Sequence, residues 1–526
     1  MSRQAWNPVT LEVFKNLFYS IAEEMGVTLR RTSFSPNIKE RLDYSCAVFD
    51  AHGRTIAQGE HMPVHLGSLP LSVRAAIDAT AMNPGDMVVL NDPFCGGTHL
   101  PDITLVCPVF GDVGAAPTFF VANRAHHSDV GGLTPGSMPL SRSIDEEGVR
   151  IAPVKLLRDG RIDLAVMESI LTRVRTPGER EGDLAAQIAA NRTGERRVEA
   201  LVARYGREIT AEYASHLQDY AEEMTRAAIS AIPDGDYSFE DFMDDDGQGN
   251  VDLPICVTVT IKGDSATIDF EGTCNQVEGC INAVYAITLS AVVYCFRLLV
   301  PFPIPANDGI ERPLRVTAPE GSLVNALPPA AVAGGNVETS QRIVDVVLGA
   351  LSKAIPDRIP AASSGTMNNL TIGGIDPRTG ETYAYYETLA GGMGARPGAD
   401  GLDATHTHMT NSLNTPVEAL EHAYPFRVER YLVRRGTGGS GEYRGGDGLQ
   451  RDVTVLGEAV ITVLSDRRIH RPWGVQGGGA GTPGENVLIE LDREVAMPSK
   501  FSTRSAPGVT ISIRTPGGGG FGSPVG

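Results

Sequence analysis

The chain has 526 residues, of which 64 are acidic and 45 are basic, so its formal net charge is −19. A single hydrophobic core stops growing at about 250–300 residues, and the length therefore predicts two or more domains. A protein that neutralises phosphates needs a basic face, whereas this acidic chain has no long run of lysine and arginine. The composition argues against nucleic acid and membranes as partners.

The cysteines and the apolar segments indicate the compartment. Seven cysteines occur without a CxxC pair, which argues against a zinc ribbon and favours free, buried thiols in a reducing environment. The N-terminal residues MSRQAWNPVT lack the apolar centre of a signal peptide. The longest apolar stretch, residues 281–300, contains Asn282, Ser290 and Arg297 and is predicted to be a core helix. We expect a cytoplasmic protein.

The N-terminal part combines a helix with several strands. Apolar residues between 8 and 25 recur at helical spacing and predict an amphipathic helix. Residues 46–49 predict a strand that ends in the turn sequence Asp-Ala-His-Gly. Residues 103–110 and 118–122 are predicted to form a hairpin whose turn spans 111–117.

Two helices and an acidic run follow. Residues 183–204 predict a helix with Asp183 as its N-cap, and a second helix is predicted from 208 to about 231. The acidic run that begins at Asp244 resembles a calcium loop, but its twelfth position is Ile255, where that loop requires glutamate. We therefore interpret the run as a solvated turn.

The predicted fold class is mixed α+β with several domains. The last hundred residues hold 21 glycines between short apolar runs, which is typical of strands joined by tight turns. We predict an N-terminal α/β region over residues 1–235, a central α+β region over 236–426, and a β-rich, glycine-rich region over 427–526. No repeat of fixed period is found, which argues against a solenoid or propeller.

Histidine and aspartate cluster in the N-terminal region, which is therefore the predicted metal-binding part. His99 and Asp102 lie three residues apart around a proline, so a turn can aim both side chains at one point. The hairpin then brings back the adjacent pair His126 and His127, of which only one can face an ion if the segment is extended. Two imidazoles with one or two carboxylates suit Zn²⁺, Mn²⁺ or Fe²⁺.

Most other histidines have a simpler interpretation. An isolated histidine in a sequence is more often a hydrogen-bonded structural residue than a ligand. We assign that structural role to the histidines outside the cluster that have no partner motif: His52, His216, His422 and His470. A cluster of this kind predicts a metal site but does not name a reaction.

Eight short segments, each weak alone, occur in a specific order: ERLDYSCAVFD (40–50), MPVHLG (62–67), NDPFCGGTHLPD (91–102), RAHHSDVGG (124–132), THTHMTN (405–411), NTPVE (414–418), YRGGDG (443–448) and TPGGGGFG (515–522). Together they resemble the hydantoinase B/oxoprolinase family over the whole chain. That family includes the B component of ATP-dependent N-methylhydantoinases, subunits of acetone and acetophenone carboxylases, and the C-terminal part of 5-oxoprolinase.

The resemblance implies one divalent metal and a set of residues around it. Carried over by motif, the ligands are Asp43, His99, Asp102 and His126, with His127 as the alternative to His126 because the hairpin is about two residues longer here. His127 and Asp129 become candidates for the catalytic base. The substrate contacts implied are three further histidines: His65, His406 and His408.

The resemblance also implies a partner and a substrate class. The chain has no GxxxxGK[ST] loop, so ATP is expected to be used by a hydantoinase A-type subunit with an actin-like ATPase fold, in a hetero-oligomer such as α2β2. The implied reaction is the opening of a hydantoin, N-methylhydantoin, 5-oxoproline or lactam ring. Two alternatives stay open: a subunit of an ATP-dependent ketone carboxylase, and a metal-stabilised assembly subunit without chemistry of its own.

Overall fold

The computed structural model describes residues 6–111, 116–491 and 493–524. The predicted hairpin turn at 111–117 falls mostly outside these ranges. Within them the chain forms nine α-helices: α1 (Pro8–Thr32), α2 (Pro36–Lys39), α3 (Ser68–Ala79), α4 (Leu164–Leu171), α5 (Pro177–Tyr205), α6 (Arg207–Ser230), α7 (Tyr285–Leu299), α8 (Ser340–Ala354) and α9 (Val417–Ala423).

The N-terminal sheet carries the histidine cluster. It has seven antiparallel strands in the order β2-β1-β5-β4-β3-β6-β7: β1 (Tyr44–Asp50), β2 (Thr55–Gln58), β3 (Met87–Leu90), β4 (Asp102–Val109), β5 (Phe119–His126), β6 (Val154–Arg158) and β7 (Arg161–Ile162). The predicted hairpin is confirmed as the β4–β5 pair. Its register places Asp102 directly opposite His126.

Three further sheets follow. A central sheet has the order β11-β10-β9-β8, formed by β8 (Gly235–Asp245), β9 (Val251–Lys262), β10 (Ser265–Asp269) and β11 (Leu314–Thr317). The other two sheets have the orders β13-β12-β16-β19 and β14-β15-β20-β17-β18, formed by β12 (Asn369–Ile375), β13 (Thr382–Glu387), β14 (Phe426–Arg434), β15 (Gly448–Val455), β16 (Ala459–Leu464), β17 (Glu485–Glu490), β18 (Arg493–Met497), β19 (Lys500–Ser505) and β20 (Thr510–Arg514). The predicted mixed, multi-domain class is confirmed.

The first helix is defined by its cap and by one apolar stripe. The Asn7 side chain accepts hydrogen bonds from the backbone N–H groups of Val9 and Thr10, and Pro8 occupies the first helical position. The helix packs against α5, and its buried residues follow helical spacing: Leu11, Phe14, Phe18, Ile21, Met25 and Leu29. Because Leu29 continues this stripe, the helix runs seven residues beyond its predicted end.

Helix α5 starts earlier than predicted, and Asp183 is not its N-cap. The helix begins at Pro177, so Asp183 lies inside it and is fully buried. Its carboxylate accepts hydrogen bonds from the backbone N–H groups of Phe34 and Ser35 at 2.8 and 3.0 Å. Arg180 donates to it at 3.1 Å. Asp183 therefore fixes the segment that leads into α2.

The acidic run at Asp244 is also different from the prediction. The prediction of a solvated turn was wrong, because Asp244 and Asp246 are fully buried. Asp244 accepts hydrogen bonds from the backbone N–H groups of Arg468, Ile469 and His470. The run therefore connects the central sheet to a C-terminal loop.

The described residues form three hydrophobic cores. The largest one includes Phe14 of α1, Val121 of β5 and Ile287 of α7, so it joins the N-terminal and central regions. A second one lies in the C-terminal sheets, around Ile372 and Ile461, and the smallest lies between α3 and the N-terminal sheet. One sheet pairs β12 and β13 with β16 and β19, and so contains strands from two of the predicted regions. The boundaries after residues 235 and 426 remain predictions.

The glycines of the C-terminal part allow backbones to pack directly against one another. Gly439 donates a backbone hydrogen bond to Gly518 at 2.8 Å, and Gly518 donates to Gly446 at 2.9 Å. At most of these glycines a Cβ atom would lie less than 3 Å from backbone of a neighbouring segment. We call this arrangement the glycine cluster, and it comprises four segments: 391–394, 438–446, 474–481 and 517–522.

The apolar stretch at 281–300 forms the buried helix α7, as predicted. Among the described residues, no helix has both the length and the apolar character needed to cross a bilayer. All seven cysteines are free. Four are buried and three are partly accessible: Cys95, Cys256 and Cys274.

Candidate metal centre

The β4–β5 hairpin brings three predicted ligands together. His99 Nε2 lies 3.2 Å from His126 Nδ1 and 3.3 Å from Asp102 Oδ1, and His126 Nδ1 lies 3.4 Å from the same oxygen. Each of the three residues is at most 2% exposed. We call this set the triangle. It forms because His99 stands in the turn before β4, while Asp102 and His126 face each other across the hairpin.

The triangle has the electrostatics of a cation site. His99 Nδ1 lies 3.3 Å from the carbonyl oxygen of Ala333, so the ring donates there and directs the lone pair of Nε2 inward. Burial opposes charge on both groups, yet the histidines, His99 foremost, hold the pKa of Asp102 well below its usual range, and Asp102 raises the pKa of His99. Three acceptor atoms at such distances repel one another unless a proton or a cation lies between them. The donor set fits a divalent transition metal.

Asp102 is held from behind by two side chains. The Thr98 hydroxyl donates to Asp102 Oδ2 at 2.6 Å, and His65 Nε2 lies 3.4 Å from that oxygen. The other nitrogen of His65 lies 2.8 Å from the Ser45 hydroxyl. Burial lowers the pKa of His65 and favours its neutral form. His65, predicted to contact substrate, is placed here as a support for Asp102.

His126 is held by an aromatic ring and a backbone contact. The Tyr386 ring stacks on it with centroids 4.4 Å apart and planes 14° apart. Asn37 donates to the backbone carbonyl of His126 at 2.7 Å, and the Arg41 guanidinium lies 4.9 Å from the Tyr386 ring. Burial lowers the pKa of His126, and its Nε2 has no hydrogen-bond partner among the described residues.

Asp43, the fourth predicted ligand, lies outside the triangle. Its backbone carbonyl accepts a hydrogen bond from the backbone N–H of His126 at 3.0 Å, so it is a neighbour of the site. Its carboxylate pairs with Arg41 at 3.9 Å and is 6% exposed. Only His99, Asp102 and His126 converge among the described residues.

The two residues predicted as the catalytic base face away from the triangle. His127 lies 2.9 Å from the Gln187 amide oxygen, and burial together with the charge of Arg180 lowers its pKa to about 4. Asp129 accepts hydrogen bonds from the backbone of Gly131 and Gly136, and also pairs with an arginine, Arg175, at 2.9 Å. The extended end of β5 explains the separation, because adjacent residues of a strand point to opposite faces. Asp129 therefore orders its own loop.

His406 and His408 occupy a neighbouring loop. Burial and the charge of Arg41 lower the pKa of His406 to about 3, so its ring is neutral. His408 has a left-handed backbone and its Nδ1 lies 3.4 Å from the Tyr294 hydroxyl. Residues 406–408 are not in a strand, so these two histidines do not share the face of a sheet.

The residue that the sequence reasoning missed is Asn336. Its amide nitrogen lies 3.0 Å from His99 Nε2 and 3.5 Å from Asp102 Oδ2. It belongs to a π-helix over Gly335–Thr339 that leads into α8. A signal was present, because Asn336 follows two glycines, as Thr98 does in the segment that contains His99.

A buried glutamate, Glu338, lies behind Tyr386 and is expected to make the stability of the chain depend on pH. The Tyr386 hydroxyl donates to Asn369 at 2.9 Å, and the Asn369 amide donates to Glu338 Oε1 at 2.7 Å. Met367 N–H donates to the same oxygen, while Oε2 has no partner among the described residues. Burial and the charge of Asp466 raise the pKa of Glu338 to about 7.

Glu338→Gln is therefore expected to flatten the dependence of stability on pH. The raised pKa means that the folded chain binds this proton more tightly than the unfolded chain, so its stabilising effect is full below pH 4.5 and is lost as the pH rises to about 7. The loss is up to about 3 kcal/mol. Urea midpoints at pH 5 and pH 8 measure it. Glu490→Gln, an exposed control, should keep the wild-type difference, and an unchanged difference in Glu338→Gln would contradict the assignment.

A mixed α/β fold with a buried triangle of two histidines and an aspartate defines a candidate metal protein. The chain belongs to the hydantoinase B/oxoprolinase family, whose sequence pattern matches residues 7–524. The predicted resemblance is confirmed.

Individual relatives agree with this assignment. The chain is 40% identical to 5-oxoprolinase 1 of Arabidopsis thaliana over 98% of its own length and 42% of that protein. It is 31% identical to a protein from Pseudomonas sp. that is named as the B-type component of a D-/L-hydantoinase, over 99% of its own length and 90% of that protein. The chain thus spans about two fifths of the oxoprolinase and most of the hydantoinase component.

Two solved structures share the fold. The ATP-dependent caprolactamase of Pseudomonas jessenii superposes with a TM-score of 0.92 at 30% identity, covering 99% of this chain and 92% of that one. An acetone carboxylase superposes with a TM-score of 0.89 at 20% identity, covering 98% of this chain and 76% of that one. The second likeness concerns the fold alone.

Proposed function

We propose that this chain is the metal-dependent subunit of an ATP-dependent cyclic amidase that opens hydantoin, N-methylhydantoin, 5-oxoproline or lactam rings. The observation that carries the proposal is the buried triangle, because it presents a metal-binding donor set in a family whose members include enzymes named for lactam and oxoproline substrates. The hydantoinase relative has nearly the length of this chain. A separate, hydantoinase A-type partner would then supply the ATP-using site, in a cytoplasmic complex such as α2β2.

The triangle would hold one divalent Zn, Mn or Fe ion. Such an ion lowers the pKa of a bound water and polarises a carbon–oxygen group. The protein fixes the ligands: Ala333 orients His99, Thr98 and His65 orient Asp102, and the stacked Tyr386 restrains His126. Support of this kind sets ligand orientation and basicity.

In the proposed reaction, ATP is used to activate the ring for attack by water. The partner transfers a phosphoryl group to an oxygen of the cyclic amide, and hydrolysis at the triangle releases phosphate and the open-ring acid. His127 and Asp129 do not suit the role of base, since both are hydrogen-bonded away from the triangle. His65 does not suit that role either, because its Nε2 faces the Asp102 carboxylate and its Nδ1 lies 2.8 Å from the Ser45 hydroxyl.

Elemental analysis of wild type and His99→Ala tests the proposal. We expect about one equivalent of a transition metal in the wild type and none in the variant, because His99 contributes one corner of the triangle. His216→Ala is the matched control, since His216 lies on α6 and pairs with Glu212. It should keep the metal.

Measurements of turnover then distinguish the cyclic amidase from the two alternatives. With the ATP-using partner, the wild type should hydrolyse a cyclic amide only in the presence of ATP, and His99→Ala should not. Bicarbonate-dependent ATP use with acetone or acetophenone would favour the carboxylase alternative. Absence of metal in the wild type would contradict the proposal, and bound metal without any turnover would favour an assembly role.

A further inference from the structure

We propose that the side-chain amide of Asn336 supplies a further protein ligand to the metal of the triangle, through its oxygen. The inference rests on the proposed function, because it concerns the same metal. It adds a residue from the central region to a site that otherwise comes entirely from the N-terminal sheet.

The position of the amide is that of a fourth corner. Its nitrogen lies 3.0 Å from His99 Nε2 and 3.5 Å from Asp102 Oδ2, separations like those between the corners of the triangle itself. Asn336 is 4% exposed. In the described part of the chain, no other side-chain amide lies within hydrogen-bond distance of these two groups.

The unpartnered oxygen of this amide is the second observation. Asn336 Oδ1 is buried and has no hydrogen-bond partner among the described residues, which is unfavourable for an amide oxygen. The nitrogen instead donates to the lone pair of His99. The nitrogen and oxygen of an amide are nearly identical in shape, so half a turn about the last side-chain bond exchanges them. A cation in the triangle would bind the lone pair of His99 Nε2. It would repel the N–H groups of the Asn336 amide and attract the oxygen of that amide.

The backbone around Asn336 is built to hold it there. A Cβ atom at the preceding residue, Gly335, would lie 1.9 Å from the Asn282 carbonyl oxygen, so glycine is required for this close approach. Glu147 accepts hydrogen bonds from the backbone N–H groups of Val332 and Ala333 at 2.8 and 2.9 Å. The same short segment thus orients His99 through a carbonyl and faces it with an amide. π-Helical turns often occur at functional sites.

The test measures the affinity of wild type, Asn336→Ala and Asn336→Asp for Mn²⁺ and Zn²⁺ by competition with a chelator. We expect alanine to weaken binding about 10–100-fold, the range found when a group that supports a metal site is lost. Aspartate keeps an oxygen in place and should bind within about tenfold of wild type. Asn486→Ala is the control, since Asn486 is also a buried amide but lies in β17 and is fully hydrogen-bonded.

The aspartate variant keeps the test decisive if the alanine variant does not fold. A purely structural N–H donor is lost in both variants, so a structural role predicts that added metal raises the thermal midpoint of Asn336→Asp less than that of wild type, whereas a ligand role predicts the same rise in both. Wild-type metal affinity in Asn336→Ala, or loss of affinity in Asn336→Asp, would overturn the inference. If metal binding depends on Asn336 but no cyclic amide is turned over, the inference stands and the proposed function fails. A wild type without metal overturns both.

Discussion

Asp102→Asn is expected to abolish ring opening and metal binding while the chain stays folded. Asp102 Oδ1 faces both histidine nitrogens, and Oδ2 accepts from Thr98. Asparagine keeps the volume but removes the only negative charge of the triangle. Because loss of a supporting group already weakens metal affinity about 10–100-fold, loss of this ligand should cost more than about 100-fold, with turnover falling in parallel.

The stability of the metal-free variant distinguishes this loss from unfolding. A buried carboxylate is costly to desolvate, and asparagine does not carry that cost. The thermal midpoint of metal-free Asp102→Asn should therefore be close to that of metal-free wild type. Added metal should raise the midpoint of the wild type only, since a ligand stabilises the folded state that binds it.

Asp43→Asn is the matched control for this experiment. The family resemblance implies that Asp43 is a ligand, whereas the structure places its carboxylate beside Arg41 and outside the triangle. We expect Asp43→Asn to retain metal affinity within about tenfold of wild type, as for a residue that acts through its neighbours. Equal losses of metal affinity in Asp102→Asn and Asp43→Asn would mean that Asp43 is also a ligand.

The local sequence predicts those residues of the site that a single hairpin brings together. His99, Asp102 and His126 lie within 28 residues of one another, and the pairing of β4 with β5 follows from alternation and a turn. An extended segment points His126 and His127 to opposite faces, so the sequence also predicts that only one of them is a ligand. In the structure, His126 belongs to the triangle and His127 does not.

The parts that could not be predicted depend on contacts distant in the chain. Asn336 is more than 200 residues from His99, and no periodicity links the two. Asp244 was expected in solvent because its neighbours are acidic, yet it is buried by backbone donors from residues 468–470. Polarity alone predicts exposure, and only the tertiary partner decides whether a carboxylate can be buried. Asp183 is likewise a buried carboxylate with distant partners, which lie in the segment before α2.

Gly518→Ala is expected to destabilise the chain by at least about 3 kcal/mol, the upper part of the range for overpacking. A Cβ atom at Gly518 would lie 2.2 Å from the Met393 carbonyl oxygen and 2.4 Å from its carbon. Backbone cannot move aside as a flexible side chain does. Gly518 also exchanges hydrogen bonds with Gly446 and Gly439, so the displacement would spread through the glycine cluster.

Thermal unfolding of Gly518→Ala and Gly178→Ala provides the comparison. Gly178 lies in the first turn of α5 with no atom within 4 Å of its would-be Cβ, so alanine there should be neutral or stabilise by up to about 1 kcal/mol. The apparent midpoint of Gly518→Ala should fall by at least about 5 °C. Equal midpoints for Gly518→Ala and wild type would mean that the segments of the glycine cluster can separate without cost, and that their glycines are not required for backbone packing.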